Sequence, residues 1–307
     1  MSRNQNRLLG ENAQPQPEDT SSVPAFLAST AFGDPSQPQI SQGLNFVTPT
    51  EFVALPSRGR YYPEGHPLQG VESVEMRYMT AKEEDILTSQ NLIKRGVVLD
   101  RLVHSVVLDK RIDPDQLLVG DKAALLIAAR VTGYGSAYNA RVSCPSCFAS
   151  QQHDFDLNDL PEHEGGTSAT EADVVESSLG LGVFSIALEK TPAVRFHVKL
   201  LTGVDEKKIG AINERRKKHN LSEGLLMTQF EAIVVGVEFA GKIVTNKTEI
   251  QTVLQNLPAS ESRYLRTTYA KLTPTIALEQ KFTCESCGEE SSIDVPMTPD
   301  FFWPKNR

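Results

Sequence analysis

All four cysteines of the chain stand in two equal spacings, Cys144-Pro145-Ser146-Cys147 and Cys284-Glu285-Ser286-Cys287, with none left over. Two C-x-x-C turns supply four thiolate sulfurs, the number that closes a tetrahedral zinc site with each sulfur about 2.3 Å from the ion. A site closed by four sulfurs leaves no open position for water, so it stabilises a fold and does not catalyse. The expected ligands are Cys144, Cys147, Cys284 and Cys287, with one structural Zn2+ per chain. C-x-x-C also serves thiol-disulfide exchange. Here neither motif stands between a strand and a helix, and Pro145 and Ser146 suit a knuckle turn better than a redox helix N-terminus.

Other chemistry is hard to assemble from these residues. The six histidines are scattered; His153 and His163 come nearest to the knuckles, but four cysteines already complete a site. No G-x-S-x-G, H-E-x-x-H or Walker loop occurs, and Gly133-Tyr134-Gly135 lacks the lysine and context of a phosphate cradle. An enzyme is not expected.

The flanks of the knuckles read as matching hairpins. Asn139–Val142 and Gln280–Thr283 precede them as strand-like runs; His153–Leu157 and Ser292–Met297 follow. Asp154 and Asp294 share one offset from the second cysteine, as do Leu157 and Met297. The separation of the knuckles far exceeds the roughly 15–20 residues of a simple ribbon, so the middle of the chain is predicted to be inserted between two halves of a zinc ribbon.

Around that ribbon the pattern predicts an α+β fold of helical segments and short β-hairpins. Val71–Met79 alternates as a half-buried strand does. Thr80 with Glu83 forms a capping box opening a helix through about Arg95, closed by Gly96. An apolar face marks a helix over Val97–Val107, and Asp121 is placed to cap the next, which carries Leu125–Ala128. Gly182–Leu188 and Ala193–Leu201 read as a hairpin. Helices are then predicted from Asp205 to about His219, from Ser222 through Val234, around Val253–Leu257, and from Ser260 or Glu261 to Pro274.

The 307 residues allow about two domains. Residues 1–43, rich in Pro, Gln and Ser, are expected to be a disordered arm, with Val23–Ala28 as linker or short docking motif. Residues 44–160 form an α+β unit ending in the first zinc hairpin, and 161–178 a polar linker. Residues 179–275 form an inserted hairpin plus helical domain, and 276–307 the second zinc hairpin with an aromatic tail. The net charge of −8 disfavours a general nucleic-acid binder. Arg215–His219 is the one basic run, and such runs on helices are usually solvated. No stretch reaches the roughly 20 apolar residues of a membrane span, and no signal-peptide apolar region follows Met1–Arg7. Phe301-Phe302-Trp303-Pro304 gathers three aromatics, either as a grip on a partner or folded back onto the core.

Leu55-Pro56-Ser57-Arg58-Gly59 with Tyr61-Tyr62-Pro63, the strand ending in Met79-Thr80, the Glu83–Leu87 helix, the paired knuckles and the terminal Phe301–Pro304 together resemble the baseplate hub assembly proteins of contractile-tailed, T-even-type bacteriophages. The resemblance spans most of the chain from about residue 46. It implies a structural or assembly subunit of the tail baseplate that binds other baseplate or tail-hub proteins. It also implies residence in the virion after assembly in the host cytoplasm. Two alternatives stay open: a tail assembly chaperone absent from the mature virion, and a zinc-ribbon nucleic-acid-binding regulator.

Overall fold

The computed structural model describes residues 48–218, 225–296 and 301–302. The N-terminal arm, Val23–Ala28, Ser222, His219 and Trp303 lie outside them. Two short strands open the described fold, β1 (Thr50–Ala54) and β2 (Ser73–Arg77), paired antiparallel from Thr50↔Arg77 to Ala54↔Ser73. Between them Leu55 and Ser57 turn fully inward. The turn passes through Arg58 (φ 51) and Gly59 (φ 68), both left-handed, and a Cβ on Gly59 would sit 2.5 Å from the Leu68 carbonyl oxygen, so glycine is required there.

Four helices follow: α1 (Ala81–Thr88), α2 (Gln90–Lys94), α3 (Val98–Val106) and α4 (Val119–Tyr134). The single helix expected through Arg95 is broken at Ser89, which is extended (ψ 104) and ends one helix while opening the next. The Thr80–Glu83 capping box forms as the sequence predicts. Gly96 closes α2 in the left-handed region, its N–H donating to Ile93 O.

Asp121 departs from its expected role. The N-cap of α4 is Leu118, and Asp121 is fully buried in the first turn. Its carboxylate accepts from Ser57 N (2.9 Å), Ser57 Oγ (2.6 Å) and the Tyr62 hydroxyl (2.7 Å), so it pins the β1–β2 connection to α4. Burial raises its pKa, a push that the Ser57 and Tyr62 bonds oppose without reversing.

Glu83 is also fully buried, yet it carries its charge. Burial alone would raise its pKa, but Arg77 binds it through two nitrogens (2.9 and 2.6 Å), and Ser105 and Thr80 add hydrogen bonds. Together they hold it at about 2, against an ordinary 4.5. A carboxylate lowered by folding contributes stability that is complete above its unfolded pKa and is lost as pH falls through its folded pKa. Wild-type protein should therefore lose on the order of 3 kcal/mol between about pH 5 and pH 2 through this group. Glu83→Gln should be less stable at pH 7 and show a flatter loss in that window, as measured by urea melts across pH.

Strands β3 (Ala137–Ser143) and β4 (Ser150–Asp156) form the first knuckle hairpin. The segment expected as a polar linker carries β5 (Glu162–His163) and β6 (Val174–Glu176). The latter joins β7 (Val183–Ala187) and β8 (Val194–Lys199), whose predicted hairpin is present. After α5 (Gly203–Lys218) and α6 (Leu225–Ile233), the chain turns to β9 (Val234–Phe239) and β10 (Lys242–Val244). The helix expected through Val234 ends one residue earlier, at Ile233, and the two strands fill a stretch for which no strand was expected. The β-branched run Val234-Val235-Gly236-Val237 suits a pleated surface, and Ala240 (φ 50) and Gly241 (φ 75) supply the two left-handed residues of a tight hairpin. The result is a five-stranded antiparallel sheet ordered β10-β9-β8-β7-β6, with β7 buried at every position.

Next come α7 (Lys247–Gln255) and α8 (Ala259–Leu272). Glu261, expected near the start of the last helix, faces inward and accepts from Glu189 N (3.1 Å) and Lys190 N (2.7 Å), holding the β7–β8 turn. Strand β11 (Thr275–Ile276) pairs with β5, and β12 (Glu279–Thr283) and β13 (Glu290–Asp294) make the second knuckle hairpin. Gly120 lets α4 lie against this return, since a Cβ there would overlap the Pro274 carbonyl. One continuous hydrophobic core runs from Leu55 to Phe302.

Candidate metal centre

The two hairpins are built alike. Ser143 pairs with Ser150 as Thr283 pairs with Glu290, and each pairing down to Asn139↔Asp154 and Glu279↔Asp294 has its counterpart. Each knuckle is closed in the same way. Cys144 N donates to Ala149 O (2.9 Å) and Phe148 N to Cys144 O (3.0 Å), while Cys284 N donates to Glu289 O and Gly288 N to Cys284 O (both 2.9 Å). Alternation along β3 sends Tyr138, Ala140 and Val142 inward, and Phe282 is the buried residue of β12.

This geometry brings together all four cysteines. Their sulfurs lie within 4.8 Å of one another, two from buried residues (Cys144, Cys284) and two from exposed ones (Cys147, Cys287). Between hairpins, Cys144 Sγ is 3.8 Å from Cys287 Sγ, and Cys147 Sγ is 3.6 Å from Cys284 Sγ. Four sulfurs at tetrahedral corners about 2.3 Å from a zinc ion would be about 3.8 Å apart. A disulfide needs about 2.05 Å, and all four thiols are free. The donor set thus fits a tetrahedral thiophilic cation.

The local electrostatics split the second knuckle. The Cys287 and Ser286 backbone N–H groups aim at Cys284 and bring its thiol down to about 7 against the drag of burial. The Glu289 N–H pulls Cys287 the same way, but the Cys147 sulfur, burial and the sulfurs of Cys284 and Cys144 together outweigh it and push that thiol up to about 12. A cluster of sulfurs resists full ionisation until a cation neutralises it.

Neither histidine flanking the knuckles joins the cluster. The His153 ring packs edge-on against Phe155 (4.7 Å) and Phe282 (5.4 Å), filling the seam between hairpins. His163 Nε2 lies 2.7 Å from Lys271 O. Sequence reasoning missed the polar stitches beside the four cysteines. Gln151 Nε2 donates to Thr283 O (3.2 Å), and its Oε1 accepts from Glu285 N (2.9 Å). Gln280 Oε1 accepts from Asp156 N (3.2 Å). No local pattern marks a glutamine whose partners are more than 120 residues away.

Phe148 was missed as well. It follows the second cysteine, as Gly288 does in the other hairpin, and both are left-handed (φ 60 and 72). Its ring is 79% exposed, so burial recovers little of the backbone cost. Phe148→Gly is expected to raise stability by about 1 kcal/mol, read as a higher urea midpoint.

The aromatic tail takes the core alternative at Phe301 and Phe302, both buried. Phe301 packs edge-on against Tyr138 (5.1 Å) and Phe302 (4.9 Å), and Arg130 Nε donates to its carbonyl (2.7 Å). Tyr138 OH donates to Pro296 O (2.9 Å). The tail therefore braces the first hairpin from below. The basic run lies at the end of α5, where Arg215 and Lys218 are exposed.

No helix among the described residues is long and apolar enough to cross a membrane. No curated protein and no solved structure matches the chain. A family model described as the T4 bacteriophage base plate protein matches residues 50–303, from the first strand of the fold to the aromatic tail. The chain belongs to the T4-type bacteriophage baseplate protein family.

Proposed function

We propose that the chain is a non-enzymatic structural or assembly subunit of the hub region of a contractile phage tail baseplate. In this reading it works by binding other baseplate or tail-hub proteins on a fold clamped by one structural zinc. The observation that carries the reading is the span of the family match, which takes in the whole described fold rather than the knuckles alone. The zinc assignment rests on the four free thiols and on inter-hairpin spacings near those of a tetrahedral Zn–S4 set. Cys144, Cys147, Cys284 and Cys287 would hold the ion, and the ion would supply the cross-link between the hairpins. Such a staple suits a protein made in a reducing host cytoplasm, where disulfides do not persist.

Two measurements test this. Elemental analysis of protein purified without added metal should find about one zinc per chain; its absence, with thiols that cycle to disulfides, overturns the zinc reading. Quantitative mass spectrometry of purified particles should find the chain at fixed stoichiometry with tail proteins. Presence in tail intermediates but not in particles identifies an assembly chaperone instead. Complete tails built in its absence would overturn the baseplate role.

A further inference from the structure

Outside the metal centre, one concavity gathers charge of a single sign. A cavity of about 360 Å3 opens between β2, α1 and α3 and is lined by Arg77, Lys82, Ile86, Arg101, His104, Ser105 and Lys110. Among the described residues no acidic side chain lines it, although the whole chain carries a net charge of −8. Glu83, the carboxylate whose charge acts on Lys110, is buried and held by Arg77, Ser105 and Thr80.

The cations differ in what they do for the fold. Lys110 caps the C-terminal end of α3, its ammonium donating to the carbonyls of His104 (2.6 Å), Ser105 (3.1 Å) and Val107 (2.6 Å). Those acceptors are neutral, so its charge stays uncompensated. Burial lowers its pKa, and the positive charges of Arg77 and Lys82 lower it further, outweighing Glu83. Lys82 and Arg101 are exposed and make no ion pair among the described residues. Lys82 stands in the first turn of α1, where the helix dipole disfavours a cation. Helix stability does not explain it.

We propose that this pocket is a docking site for a carboxylate-bearing segment of a neighbouring protein, with Lys82 and Arg101 as its free cationic arms. Lys110, held at the end of α3, supplies a fixed positive charge, and Arg77, whose charge Glu83 balances, supplies a fixed guanidinium edge beside it. A preset wall with two free arms suits a few carboxylates, because the arms alone need to be ordered on binding. A phosphodiester strand is disfavoured by the shape: tracking a backbone needs cations spaced along a groove, and the remaining basic run, on α5, contributes nothing to this cavity. That the neighbour is another baseplate protein rests on the proposed function; the carboxylate chemistry rests on the pocket alone.

The test uses the full chain and a fluorescent hexaglutamate peptide as probe, followed by anisotropy, with a thymidine hexanucleotide as the phosphate comparison. The peptide should bind more tightly than the oligonucleotide, and its affinity should fall as salt rises. The Lys82→Glu/Arg101→Glu variant should lose at least about tenfold in peptide affinity with no drop in melting temperature. A charge-matched control, Lys242→Glu/Lys281→Glu, places the same reversal on exposed strand positions outside the cavity and should bind as wild type does. Equal losses in both variants, no loss in the first, or tighter binding of the oligonucleotide would each overturn the proposal.

Discussion

Cys144→Ser is expected to lower the melting temperature by roughly 8–16 °C, corresponding to about 4 kcal/mol or more for a fold of this size. Cys284→Ser should do the same, and the double variant should cost little more than either. The reason is geometric. Sulfurs from different hairpins face each other across the site, Cys144 with Cys287 at 3.8 Å and Cys147 with Cys284 at 3.6 Å. On the proposed zinc clamp, loss of one ligand opens the site and a second loss finds it already open, so the effects should not add. On the proposed zinc clamp, chelation of the wild type should reproduce the single-variant melt, because the binding energy of such a metal would be part of the folding energy. Additive losses in differential scanning calorimetry would show instead that the two hairpins are stabilised separately.

Phe301→Ala should cost about 3–5 kcal/mol, the usual loss for a fully buried phenylalanine, and Phe301→Ala/Phe302→Ala more than either change alone. Both rings are buried, and Phe301 touches Tyr138 on β3 while its carbonyl accepts from Arg130 on α4. Urea unfolding should show the loss in the isolated protein, with no partner present. An unchanged midpoint would restore the reading of these two rings as a grip on a neighbour. The loss should also reach the metal centre, because Tyr138 sits in the same strand that leads into Cys144.

The parts of the fold that were legible in the sequence are those whose cause is local. The knuckles announce themselves by spacing, the capping box by Thr80 and Glu83, the β7–β8 hairpin by alternation. What escaped depends on residues far apart in the chain. Asp121 reads as a helix cap because aspartate is a good one, but its real partners, Ser57 and Tyr62, lie more than fifty residues upstream. Glu261 reads as the start of a helix, and its distant acceptor role in the β7–β8 turn leaves no local mark. Strands β9 and β10 were hidden because Phe230 and Ile233 continue a helical apolar face directly into the β-branched run; there the pairing with β8 decides. The gathering of the four cysteines was legible, but the glutamine stitches beside them and the left-handed Phe148 were not.

The distance along the chain between the two half-sites also sets a clock. Residues emerge from a ribosome at about 5–20 per second, so the first knuckle waits roughly ten seconds or more for the second. Throughout that interval Cys144 and Cys147 offer two sulfurs and no closed site. Phe301, which braces the same hairpin, is made later still. A product cut short before Cys284 therefore carries an open dithiol and an unbraced hairpin, and on the proposed zinc clamp metal capture by all four sulfurs would report that synthesis has passed the second knuckle.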